Sequence, residues 1–497
     1  PLFKKRGPLN LPLIRGIEGV CFLLLATMLS AQRALAHYQR RYSAMEQKMK
    51  KIGMVSLGCP KNTVDSERVL GDLVSSGFSL TPNEEDAEVI IVNTCGFIES
   101  AKKESIDTIL EMARHKAAGK CKQLIVTGCL AERYSQELLD EIPEIDHMLG
   151  VGQYPQLKNI IDENGTSSSK NHVATPAEYY ESYTDRLLTT AFYTAYLKIA
   201  EGCSNRCAFC IIPKMRGQFR SRSPESILAE TEHLARKGVK EFNLISQDTT
   251  MYGFDLGMKD GLVRLLEGMA KVEGVEWLRL LYCYPTFLNS QVIEFIASEP
   301  KVCRYIDVPL QHTHDEMLKS MKRQETELGV RKMLDEVRLK IPDAALRTTF
   351  ITGFPGETET HFRHMVRFLC EMEFDHVGIF TYSDEEGTTA YDYPGRVPQE
   401  VKEERKNILM GFQQEIVLRK NRERIGRVES VLVEGFDPQE NYLMTGRLAS
   451  QAPDIDGQVL LEKCEAEPGQ IISAKIKGVA DYDLIAEPLQ TALSHEP

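Results

Sequence analysis

The stretch Lys198-Ile199-Ala200-Glu201-Gly202-Cys203-Ser204-Asn205-Arg206-Cys207-Ala208-Phe209-Cys210 decides how the chain reads. It begins where an apolar run predicts a strand over 194–199, so the three cysteines occupy the loop leaving that strand. Three thiolates spaced C-x-x-x-C-x-x-C suit a 4Fe-4S cluster, and three ligands for four irons leave one iron open to a substrate or cofactor. Structural zinc competes with this reading, but zinc takes four ligands, usually from paired hooks, and no second hook lies nearby. Three unreactive packing thiols are the blander alternative.

Working outward, apolar runs at 194–199, 241–246, 277–282, 304–308, 346–352 and 376–381 alternate with helical patterns. Six β/α units over 189–423 predict an incomplete version of the eight-unit barrel, whose chemistry gathers at the carboxyl ends of its strands. Upstream, 51–161 repeats the rhythm, with strands at 52–57, 89–93 and 124–127 and helices at 64–77, 99–118 and 131–142. That implies a parallel α/β domain. Cys59, Cys95 and Cys129 each follow one of its strands, where ligands of an open parallel sheet collect. Gly58, Gly96 and Gly128 beside them would let backbone approach a bulky group. Three packing thiols remain the alternative at this point. Residues 162–188 are polar, with Ser167-Ser168-Ser169 at their centre, and read as a linker or an exposed excursion. From 424 to 490 the runs 428–433, 456–462 and 470–476 are punctuated by Gly446, Gly457, Gly469 and Gly478. That predicts a small antiparallel β-barrel. The fold class is α/β with this barrel appended.

With 497 residues, 42% of them hydrophobic, the chain is long enough for about three domains and needs no disulfides. The formal charge of −12 argues against a globally basic nucleic-acid binder. Twelve cysteines are too sparse for a disulfide scaffold and point to metal or redox chemistry in a reducing compartment, here the cytoplasm. Residues 1–50 stand apart. Lys4, Lys5, Arg6 and Arg15 precede the apolar run 19–32, and Ala34-Leu35-Ala36 follows it, in the manner of a secretory signal. The run is too short for a membrane span. It reads as upstream sequence joined to the gene, as an export or transit leader, or as a genuine extension. Oxygen-sensitive site chemistry favours the first, with the folded chain starting after Met45 or Met49.

The cysteine triplet with Phe209 resembles the signature of the radical S-adenosylmethionine (SAM) enzymes. The resemblance implies that Cys203, Cys207 and Cys210 hold a cluster whose open iron chelates SAM, and that an electron then cleaves SAM to methionine and a 5′-deoxyadenosyl radical. Ser-Leu-Gly-Cys-Pro-Lys-Asn at 56–62, Val-Asn-Thr-Cys-Gly-Phe-Ile at 92–98 and Thr-Gly-Cys-Leu at 127–130 resemble the amino-terminal domain of the methylthiotransferases. There the matching cysteines, here Cys59, Cys95 and Cys129, hold an auxiliary 4Fe-4S cluster that carries the sulfur. One SAM would methylate that sulfur and another would supply the radical. Phe209, Gly353 and Gly356 are the expected SAM contacts. Ile245-Ser246-Gln247-Asp248-Thr249 departs from the Gly-Gly-Glu stretch of many radical SAM enzymes, leaving the holder of the SAM amine open. His312, ending the fourth strand of the barrel, reads as structural rather than as a proton carrier. Cys21, Cys121, Cys283, Cys303, Cys370 and Cys464 match nothing in the family and read as packing residues.

The family has a tRNA-modifying branch and a branch that modifies an aspartate of the small-subunit ribosomal protein number twelve. From Arg424 onward the chain carries six basic groups against thirteen acidic ones, a net of −7. Such a field repels phosphate and attracts a basic protein. Cys-Ala-Phe-Cys-Ile-Ile-Pro-Lys-Met-Arg-Gly at 207–217 and Ile-Ser-Gln-Asp-Thr at 245–249 also resemble the ribosomal-protein branch. The expected substrate is therefore that protein, with an electron donor and a sulfur donor still to be identified and no membrane or direct nucleic-acid partner. A tRNA adenosine methylthiotransferase is the alternative, and a non-enzymatic RNA-binding iron-sulfur protein the weaker one.

Overall fold

The computed structural model describes residues 49–162, 169–174, 186–436 and 444–489. The expectations for residues 1–48, Cys21 among them, and for Ser167-Ser168 lie outside the described residues.

Strands β1 (Lys51–Ser56), β2 (Ser79–Leu80), β3 (Val89–Thr94), β4 (Gln123–Gly128) and β5 (His147–Leu149) form one sheet in the order β2-β1-β3-β4-β5, every pair parallel. Helices α1 (Pro60–Ser75), α2 (Glu99–Ala118) and α3 (Cys129–Glu141) make the crossovers. β3 and β4 are buried along their whole length, which is why they read as unbroken apolar runs. The described part of the polar segment after α3 and β5 is tied to the sheet. The Met148 N–H donates to the Lys170 carbonyl and the His172 N–H to the Met148 carbonyl, both at 2.8 Å, so 170–172 lies along the β5 edge.

In the central region β6 (Thr194–Lys198), β9 (Glu241–Ile245) and β10 (Trp277–Leu280) pair in parallel, as do β11 (Tyr305–Asp307), β12 (Ala345–Thr352) and β13 (His376–Thr381). The short antiparallel pair β7 (Ala200–Glu201) and β8 (Arg220–Ser221) closes the neck of the cysteine loop. Cys303 N–H to Leu278 carbonyl (2.8 Å) and Cys283 N–H to Asp307 carbonyl (2.9 Å) join the two arcs. β6 and β13 remain edges of an open six-stranded barrel. Its interior is shared. Tyr196, Ile245, Trp277, Leu281 and Tyr305 pack with Val64 of α1 and with Leu432 and Ala452 from the carboxyl-terminal region.

The last strands, β14 (Val428–Phe436), β15 (Met444–Leu448), β16 (Val459–Leu461), β17 (Ile471–Ala480) and β18 (Asp483–Pro488), close a barrel in the order β14-β15-β16-β18-β17. The expected small barrel is present and antiparallel at every seam but one: β16 and β18 run parallel. An odd number of strands cannot alternate direction around a closed ring, so one parallel seam is obligatory. Cys121, Cys283 and Cys303 are buried and Cys464 partly so, but Cys370 is exposed, against the packing role expected of it. Among the described residues no helix is long and apolar enough to cross a membrane.

This barrel seats on the amino-terminal ends of the central strands, opposite the cysteine loop. Tyr305 Oη donates to Asp456 (2.7 Å), and His376 Nε2 lies 2.9 Å from the Ser450 carbonyl. Buried Glu241, at the start of β9, accepts from Arg447 (2.6 Å), Arg279 (3.0 Å) and Thr194 (2.8 Å). Burial pushes its pKa up, yet Arg447 and Arg279 hold it at about 2. A depressed carboxylate stabilises the fold above its unfolded pKa of about 4.3 and loses that contribution as pH falls toward the folded value. Hydrogen exchange across 428–488 should therefore rise between about pH 4 and pH 2. At pH 7, Glu241→Gln should loosen the same region by about 3–5 kcal/mol, because two buried guanidinium groups lose their counter-charge. Unchanged exchange in that variant would remove Glu241 as the seat of the barrel.

Candidate functional site

Each cysteine of the amino-terminal domain stands just past a strand end. Cys59 precedes the first residue of α1, and Cys129 is the first residue of α3. Both thiols thus meet a helix amino terminus, where the dipole favours negative charge. Cys95 is held by Ser105, whose hydroxyl bridges its N–H and carbonyl at 3.0 Å each. Glycine is needed for the three ends to converge. Gly58 has φ +91°, and a Cβ there would lie 2.7 Å from the Cys95 Cβ; at Gly128, φ +96°, it would lie 2.5 Å from the Thr94 carbonyl. The three thiols lie close enough to oppose one another's ionisation, and burial raises Cys129 to about 12.

The second triplet sits at the carboxyl-terminal mouth of the six-stranded barrel. Cys203 N–H donates to the Gly217 carbonyl (3.1 Å), Cys210 N–H to the Cys207 carbonyl (3.1 Å), and Ala208 N–H to the Met321 carbonyl (2.8 Å). Burial pushes the Cys203 thiol up to about 11 and raises Cys207 and Cys210. Arg323 lies 3.9 Å from Cys207 Sγ, and its guanidinium covers the Tyr284 ring. Asn205, between the first two cysteines, donates to buried Asp248 (2.8 Å). Thiols raised this way ionise only against a strong local positive charge, which an iron centre supplies on binding.

The donor set fits clusters better than single ions. Around one tetrahedral zinc, sulfurs stand about 3.8 Å apart, given Zn–S bonds of about 2.3 Å. Among the described residues, the one group of three His, Cys, Asp or Glu ligand atoms within 4.8 Å of one another is His314, Glu316 and His361, not either cysteine triplet. A four-iron cube spreads its thiolates farther apart than one ion does.

Between the triplets runs a buried polar network. Arg216 donates to Asn62 (2.5 Å), Asp65 (3.1 Å) and Glu201 (2.9 Å). Lys198 pairs with Asp65 and, at 2.6 Å, with Glu201. Asn62 in turn donates to the Leu57 and Thr94 carbonyls at 2.8 and 3.0 Å and takes the Cys129 thiol at 3.9 Å. Burial pushes Glu201 up, but Arg216 and Lys198 hold it well below the usual carboxylate range. Lys61 Nζ sits 2.9 Å from the centroid of the Tyr282 ring, and burial pulls its pKa down to about 7.

The remaining expected residues are placed less simply. Phe209 packs with Ala208, Met317, Met321, Phe354 and Tyr382. Gly353 and Gly356 follow β12 at the mouth, but their N–H groups are taken by Glu357 (3.0 Å) and the Gly395 carbonyl (2.8 Å). Only their carbonyl edge is left to a ligand. His312 is fully buried, accepts from the N–H groups of Thr313 (2.8 Å) and His314 (3.1 Å), and has its Nε2 3.6 Å from Glu357. Lys61, Asn205, Arg216 and Arg323 went unassigned in the sequence, although all but Arg323 lie inside the quoted motifs.

Family models match all three regions: the uncharacterized protein family UPF0004 over 51–150, the radical SAM superfamily over 197–369 and the TRAM domain over 425–489. The ribosomal protein uS12 methylthiotransferase RimO of Geobacter sulfurreducens is 47% identical over 89% of this chain and 99% of its own. That of Desulforamulus reducens is 48% identical over 89% of this chain and 100% of its own. The chain belongs to the RimO family of methylthiotransferases. Both RimO relatives carry the ribosomal-protein name, and the tRNA-modifying alternative is not favoured. The RimO-family radical SAM domain implies a 4Fe-4S cluster and SAM. Among solved structures, the radical SAM methyltransferase TsrM of Kitasatospora setae matches 66% of this chain and 72% of its own at TM-score 0.50 and 14% identity, a likeness of fold alone.

Proposed function

We propose that this RimO-family chain replaces a hydrogen on the β-carbon of an aspartate of ribosomal protein uS12, the small-subunit ribosomal protein number twelve, with a methylthio group. The observation that carries the reading is two strand-end cysteine triplets in different domains, tied across one buried network. Cys203, Cys207 and Cys210 would hold the radical-generating 4Fe-4S cluster, and Cys59, Cys95 and Cys129 an auxiliary one. Bound there, the first group with SAM supplies the radical and the second supplies the sulfur. The protein's own part is placement. Arg216, Asn62 and Asp65 lock α1 against the barrel mouth, so the reacting carbon meets both sides without diffusion. Burial of Lys198, Glu201 and Arg216 keeps water out of the gap. Phe209, Gly353 and Gly356 shape the wall beside the SAM position. Free, unpaired thiols suit the cytoplasm.

The acidic barrel supports a basic protein substrate, in a narrower form than its composition suggests. Asp454 and Asp456 face the central domain, paired with Tyr196 and Tyr305, and Glu434 is paired with Arg447 within the barrel. Glu462, Glu465 and Glu467 are exposed, far from the mouth, and suit steering of encounter rather than chemistry. Reconstituted protein with SAM, sulfide and reductant should add one methylthio group to a single aspartate of purified uS12, read by intact mass and fragmentation. The rate should fall with added salt, and more steeply than in a Glu462→Lys, Glu465→Lys, Glu467→Lys variant. An untouched uS12 beside a tRNA adenosine that gains the group would sink the substrate reading and leave the chemistry standing.

A further inference from the structure

We propose that Lys61 is a positioning residue that anchors the side-chain carboxylate of the substrate aspartate beside Cys59. The inference rests on the aspartate reading above. Lys61 lies in the first turn of α1, two residues after Cys59, and is 5% exposed. Its ammonium reaches out of the sulfur-delivering domain onto the ring of Tyr282, which follows β10 at the mouth of the radical domain. It therefore stands in the gap where hydrogen removal and sulfur transfer have to meet.

Buried charges are normally paired, and the other cations lining this gap are. Lys198 and Arg216 share Asp65 and Glu201, and Arg347 pairs with Asp307 at 3.0 Å. Lys61 is in no ion pair among the described residues; a ring face is its partner. Cys59 is the group that most favours its charge; the two carboxylates that follow, Asp307 and Glu201, are already committed. Asp307 accepts from Arg347 and from the Tyr282 N–H (2.8 Å), and Glu201 from Lys198, Arg216 and Gln247 (2.9 Å). Neither carboxylate is ion-paired with Lys61.

Tyr282 adds an independent sign. Its φ of +62° places a bulky residue in the left-handed region, held there by the Asp307 bond. Strain of this kind persists where surroundings over-determine it, as in ligand clamps. The chemistry selects the anion. In aspartate the reacting carbon is bonded directly to the carboxylate, so any pose that offers the β-hydrogen to the mouth carries that charge into the gap. An unpaired carboxylate buried there would be strongly disfavoured. A cation two residues from the sulfur-delivering cysteine removes that cost and orients the carbon toward Cys59.

The test uses the full, cluster-loaded chain as wild type, Lys61→Met and Lys61→Arg, with a uS12 peptide bearing aspartate or asparagine at the reacting position. Binding is read by fluorescence anisotropy without reductant, so no turnover enters. Wild type should bind the aspartate peptide about tenfold more tightly than the asparagine one, about 1.4 kcal/mol. Lys61→Met should lose that preference and Lys61→Arg should keep most of it. Equal wild-type binding of the two peptides, or an undiminished preference in Lys61→Met, would overturn the assignment. So would a raised KM for SAM in peptide-free cleavage by Lys61→Met, which would give the anchor to the SAM carboxylate. A wild-type enzyme that modifies uS12 but shows no aspartate preference sinks Lys61 alone; one that leaves uS12 untouched sinks the substrate reading and this proposal together.

Discussion

Replacing Cys203, Cys207 and Cys210 together by alanine is expected to abolish SAM cleavage and to halve the iron, from about eight atoms per chain to about four. The effect is large because nothing else at the mouth can take over. Arg323 and Asn205 touch the loop but carry no soft donor, and zinc-type rescue by a neighbouring thiol is excluded by position, Cys283 being buried within the barrel wall. The fold should survive, since the loop is closed by β7 and β8 and pinned through Ala208. Iron and acid-labile sulfide on anaerobically reconstituted protein, with 5′-deoxyadenosine by chromatography, are the measurements. Zinc in place of iron in carefully anaerobic wild type would end the cluster reading of both sites.

The second large effect divides the labour. Cys59, Cys95 and Cys129 changed together to alanine should again leave about four irons, but 5′-deoxyadenosine should still form while the methylthio product disappears. Asn62 keeps its bonds to Leu57, Thr94 and Arg216 in that variant, so the domains stay locked and loss of product cannot be blamed on separation. Normal methylthiolation by this variant would show that the amino-terminal domain is not the sulfur donor.

Both sites were legible in the sequence because they lie at strand ends. Parallel strands buried on both faces appear as plain apolar runs, and the residue just past each run is a position with chemical meaning. The six strands of the open barrel fell within a residue or two of the expected places for the same reason. β2 and β5 were too short to show a period. The parallel seam of the last barrel follows from ring closure, which no local pattern reveals, and the pairing of 170–172 with β5 was hidden in polar composition. Lys61 and Arg216 stand in recognisable motifs, yet a lysine in the first turn of a helix reads as solvated. What buries it is Tyr282, from another domain. Gly353 and Gly356 read as backbone contacts for SAM, whereas the partners of their N–H groups depend on Glu357 and Gly395 being folded beside them.

Helix α1 works as a gauge. Cys59 at its head, then Lys61, Asn62, Val64 and Asp65, address respectively the amino-terminal cysteine triplet, Tyr282, Arg216, the barrel interior and Lys198. All five stations fall within two turns of one rigid rod, so their spacing is indexed by helical pitch rather than by loop length. One residue inserted after Asn62 would rotate Val64 and Asp65 by about 100° relative to Cys59 and misalign both halves at once. A surface loop absorbs an added residue at small entropic cost, whereas in this segment a change of count breaks the register of both halves.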